Sequence, residues 1–238
     1  MPILSRVSLL KEKTVVILVL LGIKWIFLKK KMTKISSNFE DVISNYVPEQ
    51  AVREVIRLWE ENPYQLTVAS QRKTKKGDFR ARIKGNVHYI SVNYNLNSYE
   101  FLLVLIHEYA HLMVWKIYGR NAKPHGEEWK DQFRTYMLPF FKLVDFPPKL
   151  GIAMLNYLRN PKASSGSDIN LQKEFAKFDP PSDEVLVEDL KDGELFFYNF
   201  RVFKKGKKLR TRYLCEEVLT KSKYRFSPLA PVELYESV

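Results

Sequence analysis

The chain has 238 residues, of which 45% are hydrophobic and 13% aromatic, and this composition excludes an intrinsically disordered protein. Its single cysteine, Cys215, excludes an intramolecular disulfide and is compatible with a reducing, cytoplasmic location. The formal net charge is +12, but residues 1–34 hold eight Lys/Arg and one Glu, a net of +7, which leaves +5 for the rest. The total charge therefore does not by itself predict a nucleic-acid partner.

Residues 1–34 form an apolar and basic N-terminal segment with three interpretations. Its apolar run, residues 14–28, includes a lysine and is shorter than the roughly 20 residues that cross a bilayer core. The segment could be a short membrane or interfacial anchor, a helix packed on the domain, or a translation artefact if synthesis begins at Met32 instead of Met1. Membrane contact, and an N-terminally anchored protein, are expected only if residues 1–31 are translated.

The next elements are a helix and three short strands. Pro48 starts an amphipathic helix that ends before residues 62–63. Residues 65–70, 78–83 and 87–94 are β-prone and are separated by turn-like sequences, which predicts a three-stranded antiparallel meander.

Residues 72–84 carry seven Lys/Arg against the single acid Asp78. Such a basic ridge is typical of a solvated strand edge, where lysines prevent pairing with other chains, and it is also compatible with contact to nucleic acid. Both interpretations stay open at this point.

A long apolar helix is predicted over residues 98–118. Asn97 is a typical N-cap, Glu100 lies where a capping box requires an acid, and Gly119 ends the helix. Because apolar residues cover most of its circumference, we expect this helix to be buried at the centre of the domain.

A third helix is predicted to open at His125-Gly126. Trp129, Phe133 and Met137 repeat at four-residue spacing and should pack on the central helix, and Pro139 interrupts the pattern. We expect one more helix over residues 150–158.

The C-terminal third changes in composition. Residues 160–167 are rich in serine with a proline and a glycine, which indicates a linker, and residues 168–194 hold nine Asp/Glu. Beyond residue 193 the pattern predicts strands, with a lysine-rich turn at 204–208: 195–203, 209–215, 218–220 and 224–226. Residues 201–213 contain seven Lys/Arg and no acid, so this part could bind a phosphate backbone or form a small basic β-module.

The central helix carries the motif His107-Glu108-x-x-His111. Histidines four residues apart lie on one helix face, so both imidazoles can reach one ion, and Glu108 lies beside it. His125, at the start of the next helix, is the expected third ligand of a tetrahedral catalytic zinc whose fourth position is left to water. The alternative without a metal is a helix whose histidines make ordinary hydrogen bonds. Nothing in the spacing connects His88, the fourth histidine, with this cluster.

These motifs together resemble the SprT-like family of zinc metallopeptidase domains, which includes the eukaryotic DNA-dependent protease Spartan. The resemblance covers roughly residues 45–150. It rests on the histidine motif 107–111, on His125-Gly126-x-x-Trp129, on Gly77-Asp78-Phe79-Arg80 and on the strand Ile90-Ser91-Val92-Asn93.

The resemblance implies that His107, His111 and His125 bind one catalytic Zn²⁺ and that Glu108 is the general base. It implies an α+β fold with a helical, zincin-like core and a small antiparallel three-stranded sheet, to which a C-terminal β-module is added. The expected function is peptide-bond hydrolysis, with DNA-associated proteins as a substrate class. The alternative is a zinc-stabilised nucleic-acid-binding protein with little protease activity, which would contact DNA through residues 72–84 and 201–213.

The C-terminal strands depart from the family pattern. Family members often end in a zinc ribbon of two Cys-x-x-Cys pairs, whereas this chain has only Cys215, with Val218 where a pairing cysteine would fall. One thiolate cannot form a four-cysteine site, so we expect a ribbon-like module held by aromatic packing in place of a metal. The predicted divisions are an N-terminal segment, a SprT-like domain, an acidic linker and a basic β-module: 1–34, 35–160, 161–193 and 194–238.

Overall fold

The structure is a computed structural model that describes residues 39–72, 74–82, 87–182 and 184–235. The predicted N-terminal anchor and the choice between Met1 and Met32 lie outside these residues, as does the predicted turn at 84–86.

The described part of the chain has the predicted α+β class, with helices around one small sheet followed by a separate, larger sheet. After a helical turn at 39–43, the first part consists of α1 (Glu49–Glu61), β1 (Tyr64–Ala69), β2 (Gly77–Arg80), β3 (His88–Asn93), α2 (Ser98–Tyr118), α3 (Glu127–Met137), α4 (Phe140–Leu143), α5 (Pro148–Arg159), a 3₁₀ turn (Ser165–Ser167) and α6 (Ile169–Ala176).

The three-stranded sheet has the order β1–β3–β2, which corrects the predicted antiparallel meander. Strand β3 pairs antiparallel with β2 but parallel with β1. The connection from Ala69 to Gly77 is long enough for β2 to pass to the far side of β3. Strand β3 takes the centre because its alternate residues Ile90 and Val92 are fully buried against the helices.

Helix α2 has the predicted bounds. The Asn97 side chain accepts a hydrogen bond from the Glu100 backbone N–H at 3.0 Å, and Gly119 ends the helix with a φ of 60°. By length and composition α2 could cross a membrane, but most of its residues are buried inside the domain. It is the core helix of this domain, with β2, β3 and α3 packed against it.

Helix α3 contributes the aromatic part of this core. Trp129, Phe133 and Met137 are fully buried, as their spacing predicted, and the rings of Trp129 and Phe133 stack at 5.1 Å between centroids. Pro139 separates α3 from α4 because it cannot continue the helix hydrogen bonding.

The segment predicted to be a linker, residues 161–193, contains parts of both cores. Leu171 and Phe175 of helix α6 are buried in the first hydrophobic cluster, whereas Val187 and Leu190 are buried in the second. The first cluster therefore extends well beyond residue 160, and its chain passes to the second cluster between residues 176 and 185. The proline, glycine and serines of 161–167 mark the connection between two packed helices.

The second part is a sheet of the order β4–β9–β5–β6–β7–β8: β4 (Val185–Leu186), β5 (Leu195–Tyr198), β6 (Arg201–Lys204), β7 (Tyr213–Glu217), β8 (Lys223–Phe226) and β9 (Pro231–Leu234). The single strand predicted over 195–203 is in fact the hairpin β5–β6. Its two-residue turn, Asn199-Phe200, has φ values of 47° and 62°, the left-handed pair of a type I′ turn. The predicted strand 218–220 is the turn between β7 and β8.

The core of this sheet consists of eight buried side chains, half of them aromatic: Val187, Leu190, Phe196, Phe203, Tyr213, Cys215, Phe226 and Val232. A lysine, Lys205, is buried with them at 4% exposure. Its Nζ donates hydrogen bonds to the backbone carbonyls of Leu190 and Glu188, the latter at 3.3 Å, and lies 4.3 Å from the centroid of the Tyr213 ring. The buried ammonium is thus fully paired, as a buried charge must be.

Candidate metal and catalytic site

His107, His111 and His125 converge at one point. The Nε2 atom of His125 lies 3.0 Å from Nε2 of His111 and 3.2 Å from Nε2 of His107. Two of these rings project from neighbouring turns of α2, and the third comes from the loop before α3, as the spacing predicted. Three imidazoles at this separation could hold one metal ion.

The geometry fits a cation better than a hydrogen-bonded cluster. Each imidazole nitrogen presents either one proton or one lone pair in the plane of its ring. His125 Nε2 can therefore form a good hydrogen bond with only one of its two neighbours. At the other neighbour it has no well-directed proton or lone pair left to use. A tetrahedral zinc with Zn–N distances of about 2.0–2.1 Å places pairs of nitrogens roughly 3.3 Å apart, close to the observed values.

Trp129 holds the three histidines in position. Its ring centroid lies 4.5 Å from that of His107, 4.7 Å from that of His125 and 5.3 Å from that of His111. Its Nε1 donates a hydrogen bond to the His107 carbonyl at 3.3 Å. Trp129 is therefore a support for the three histidines as well as a core residue.

His125 adopts a backbone conformation that its residue type disfavours. Its φ is 57°, in the left-handed region, which costs a residue other than glycine about 1–2 kcal/mol. The following Gly126 is the N-cap of α3, so the turn directs the imidazole towards α2 immediately before the helix starts.

Burial keeps the histidine rings in the form that binds metals. Burial lowers the pKa of His107 well below its usual value, and the neighbouring rings of His111 and His125 lower it further. The pKa of His111 falls to about 3 through burial and the nearby His125, and burial also lowers that of His125. At neutral pH all three imidazoles are therefore neutral, with lone pairs available.

Glu108 is buried beside the histidines, at 6% exposure. Burial raises its pKa to about 8, and the negative charge of Asp78 raises it as well; a hydrogen bond from the Phe79 backbone opposes them. A carboxyl group with a pKa near neutrality can both accept and donate a proton. This is the property that a general base needs when it must later act as an acid.

The absence of a side chain at Gly77 leaves room for the side chain of Glu108. A Cβ atom at position 77 would lie 2.4 Å from Oε1 of Glu108 and 2.7 Å from Cγ1 of Val104. Only glycine lets β2 approach the site helix this closely. Gly77 belongs to the motif 77–80, but its contact with Glu108 could not be predicted from the sequence, because it joins residues 31 positions apart.

A cavity of about 100 Å³ lies beside the site, lined by residues 74–77, by Val104, His107 and Glu108, and by residues 163–165. The contribution of 163–165 was not predicted, since these residues were assigned to a linker. His88 is not part of the site: its Nδ1 accepts a hydrogen bond from the Arg82 backbone at 3.1 Å.

The two basic stretches differ in whether their basic side chains are paired with other groups or exposed to solvent. In the described part of 72–84, Arg72 donates to Asn93 and Ser91, Lys76 pairs with Glu100, and other basic groups pair with Asp78. Within 201–213, six basic residues are exposed, with only Lys205 buried: Arg201, Lys204, Lys207, Lys208, Arg210 and Arg212.

Comparison with known proteins assigns a family to this geometry. Residues 44–143, from just before α1 to the end of α4, match the model of the SprT-like family. The chain contains a SprT-like domain. The match includes β2 with Gly77, the whole of α2 and Trp129, so the three converging histidines lie entirely within the SprT-like domain.

The curated relatives extend this assignment only locally. Segments of 27 residues are 67% identical to proteins named Protein SprT from Salmonella arizonae, Salmonella newport and Salmonella heidelberg. Each match covers 11% of this chain and 16% of the relative. No solved structure gives a significant match. The SprT-like domain has a metallopeptidase-like fold whose three histidines could hold a metal ion.

Proposed function

We propose that the protein is a zinc-dependent metallopeptidase that hydrolyses peptide bonds. The observation that carries the proposal is the convergence of three neutral imidazoles, together with the buried carboxyl group of Glu108, which lines one cavity with His107. A metal with a purely structural role has no use for such a group beside it. Three histidines leave a fourth position open, as in catalytic zinc sites and unlike structural ones.

When bound, zinc would lower the pKa of a coordinated water to about 7 and polarise the substrate carbonyl. Glu108 takes a proton from the attacking water and transfers it to the leaving amine. Burial raises the pKa of Glu108, which makes its ionised form a stronger base towards water, and donating the proton to the amine restores that form. Trp129 and the backbone of β2 keep the ligands and Glu108 in fixed orientations, which lowers the cost of reaching the reactive geometry.

The test is a cleavage assay on a DNA-bound protein substrate, run with and without DNA, with zinc content measured on the same samples. We expect the Glu108→Gln variant to retain zinc and to lose at least about 100-fold in rate. We expect the His125→Ala variant to lose zinc as well as activity. Equal rates for the parent and the Glu108→Gln variant would remove Glu108 from the mechanism, and unchanged zinc in His125→Ala would remove His125 from the ligands.

The second candidate is DNA binding through residues 201–212, and the exposure of six basic residues without an acid among them supports it. DNA affinity measured against salt concentration tests this candidate. Each phosphate contact contributes about −0.9 to the slope of log K against log salt, so a slope near zero argues against it. Salt-dependent DNA binding together with no cleavage in the assay above would favour a DNA-binding protein over a protease.

A further inference from the structure

The start of strand β2 lies directly against the Glu108 side chain. Gly77, the first residue of β2, is so close that a Cβ there would lie 2.4 Å from Oε1 of Glu108. β2 is an edge strand of the described sheet, which has the order β1–β3–β2. A movement of this strand relative to α2 would therefore move the carboxylate, so the contacts that hold the strand in place matter for the site.

Asn93 fixes the segment before β2 to the sheet. This residue lies at the end of β3 and is 2% exposed. Its side-chain Nδ2 donates hydrogen bonds to the carbonyls of Arg72 and Lys75, at 3.3 and 3.1 Å. Its backbone N–H donates to the Lys76 carbonyl at 2.9 Å. These bonds set the place of the segment relative to β3, but none of them reaches the helix that carries the site.

Lys76 connects the same segment to two helices. Its Nζ donates hydrogen bonds to Oε1 of Glu100 on α2 and to Oε1 of Gln172 on α6, both at 2.6 Å. Gln172 Nε2 donates to the same Glu100 oxygen at 2.8 Å. Glu100 is buried at 4% exposure. Because a buried carboxylate that loses its cation is strongly unfavourable, this contact holds the segment and the two helices together.

The contacts of Lys76 and Gly77 lie along one face of α2. Glu100, Val104 and Glu108 are spaced by four residues, so their side chains follow one another on that face. Lys76 meets the first of them, and a Cβ at Gly77 would lie 2.7 Å from Cγ1 of Val104. Eight residues of helix rise about 12 Å, so the ion pair fixes one end of the contact between β2 and α2, and Glu108 lies at the other.

One partner in this contact comes from beyond the family match. The match ends at residue 143, whereas Gln172 belongs to α6, Ile169–Ala176. The side chain of Asn97, the N-cap of α2, donates a hydrogen bond to the Phe175 carbonyl at 3.0 Å. Helix α6 is thus docked on the start of α2 and takes part in holding β2.

We infer that Lys76 is a positioning residue for Glu108: its ammonium, held between Glu100 and Gln172, keeps the start of β2 at the distance from α2 that orients the carboxylate. The inference rests on the proposed peptidase function. Lys76 acts without touching the substrate, because Gly77 transmits its position to Glu108. An ion pair with only a structural role would stabilise the fold without a selective effect on turnover, and this difference can be measured.

The test replaces Lys76 by Met in the full-length, zinc-loaded protein and measures cleavage of a fluorescently labelled histone bound to plasmid DNA. Methionine keeps most of the aliphatic length but cannot donate to Glu100 or Gln172. We expect kcat to fall at least about tenfold, with KM and zinc per chain within about twofold of the parent values. Lys76→Arg keeps the charge and the donors and should retain at least about a third of the parent kcat.

A double substitution identifies the group through which Lys76 acts. In the Glu108→Gln background, Lys76→Met should change the residual rate by less than about twofold, because the carboxylate that Lys76 positions is absent. A second readout does not require cleavage. Hydrogen exchange of residues 77–80, measured by mass spectrometry, should be at least about tenfold faster in Lys76→Met than in the parent.

The matched control is Lys173→Met, which removes an equal charge from α6, where Lys173 pairs with Glu188. It should leave kcat and the exchange of 77–80 unchanged. Gln172→Met keeps the ion pair and removes only the neutral partner. It replaces Lys76→Met, with an expected loss of about threefold in kcat, if Lys76→Met does not reach the parent's unfolding midpoint.

Three results would each overturn the inference: parent-like kcat, an equal loss of rate in the parent and Glu108→Gln backgrounds, or unchanged exchange of residues 77–80. Failure of the proposed function has a different signature. In that case the unsubstituted protein does not cleave the histone, while the exchange of β2 still responds to Lys76→Met.

Discussion

The two hydrophobic clusters of this protein handle buried polar groups in opposite ways. In the first, around helix α2, three neutral imidazoles face one another and share no complete set of hydrogen bonds. In the second, around the aromatic residues of the C-terminal sheet, Lys205 brings its own positive charge and pairs it with two backbone carbonyls. The first arrangement is suited to an added cation, whereas the second is complete as it stands.

The difference matters because the C-terminal sheet is small. Residues 184–235 bury only eight hydrophobic side chains, and modules of this size usually need a metal or a disulfide to be stable. Phe203 packs against Phe196, Phe226 and Tyr224 at ring distances of 4.9 to 5.6 Å. The aromatic cluster and Lys205 together form the core of this sheet.

The largest expected effect separates the stabilities of the two clusters. Replacing Trp129 by Ala removes a fully buried indole from the first cluster and should cost about 3–5 kcal/mol. Hydrogen exchange read by mass spectrometry should show lost protection in residues 39–176 and unchanged protection in 184–235. The control is Trp115→Ala on α2, where the side chain is only partly buried. Equal loss in both regions would mean that the two clusters unfold as one unit.

A second substitution changes the proposed catalytic geometry. Gly77→Ala places a Cβ 2.4 Å from Oε1 of Glu108 and 2.7 Å from Cγ1 of Val104, so the carboxylate must move and β2 must shift away from the site helix. We expect kcat to fall about 100-fold with zinc content unchanged. Gly151→Ala is the matched control, since its Cβ would meet only Phe146 Cβ, at 3.6 Å. Parent-like activity in Gly77→Ala would show that the contact does not position Glu108.

Lys205→Met tests the second cluster alone. The substitution keeps the aliphatic volume but leaves the carbonyls of Glu188 and Leu190 without their donor, which should destabilise the module by about 2 kcal/mol. Lost exchange protection should be confined to residues 184–235, with zinc content unaffected. The exposed neighbour Lys207, replaced by Met, controls for the loss of charge. If Lys205→Met keeps the exchange protection of the parent, the stability of the module comes from its aromatic residues and not from Lys205.

The smallest effect is expected for Cys215→Ala. Cys215 is fully buried in the second cluster, and removing its sulfur should cost roughly 1 kcal/mol. We expect zinc per chain, measured by elemental analysis, to stay at the parent value. A drop in zinc would make Cys215 a ligand and would erase the contrast between the clusters.

The local part of the site could be predicted from the sequence. The four-residue spacing of His107 and His111 places them on one helix face because the helical period is fixed, and Asn97 and Gly119 are residues that favour helix ends. The spacing of Trp129 to Met137 likewise predicted a buried face. The approach of His125 was predicted, but its left-handed φ was not, since histidine has no marked preference for that conformation.

The contacts between distant segments could not be predicted. The parallel pairing of β1 with β3 depends on which strand takes the centre of the sheet, and nothing in the turn sequences indicates this. Phe200 in a left-handed turn contradicts its own propensity, so the hairpin β5–β6 had no signal beyond Asn199. The position of residues 163–165 next to Glu108 results from the packing of α6, because the serines and glycine of 161–167 specify only a connection.

The packing of Trp129 on all three histidine rings that could hold a metal also gives the protein an intrinsic optical probe. Indole emission is sensitive to the charge and rigidity of the groups it touches, and here those groups are the three imidazoles. Loading the site with a metal should therefore change the fluorescence of this tryptophan, and the difference between the parent and a Trp129→Phe variant isolates its signal. Occupancy of the site can then be followed in solution in real time, without a label and without a substrate.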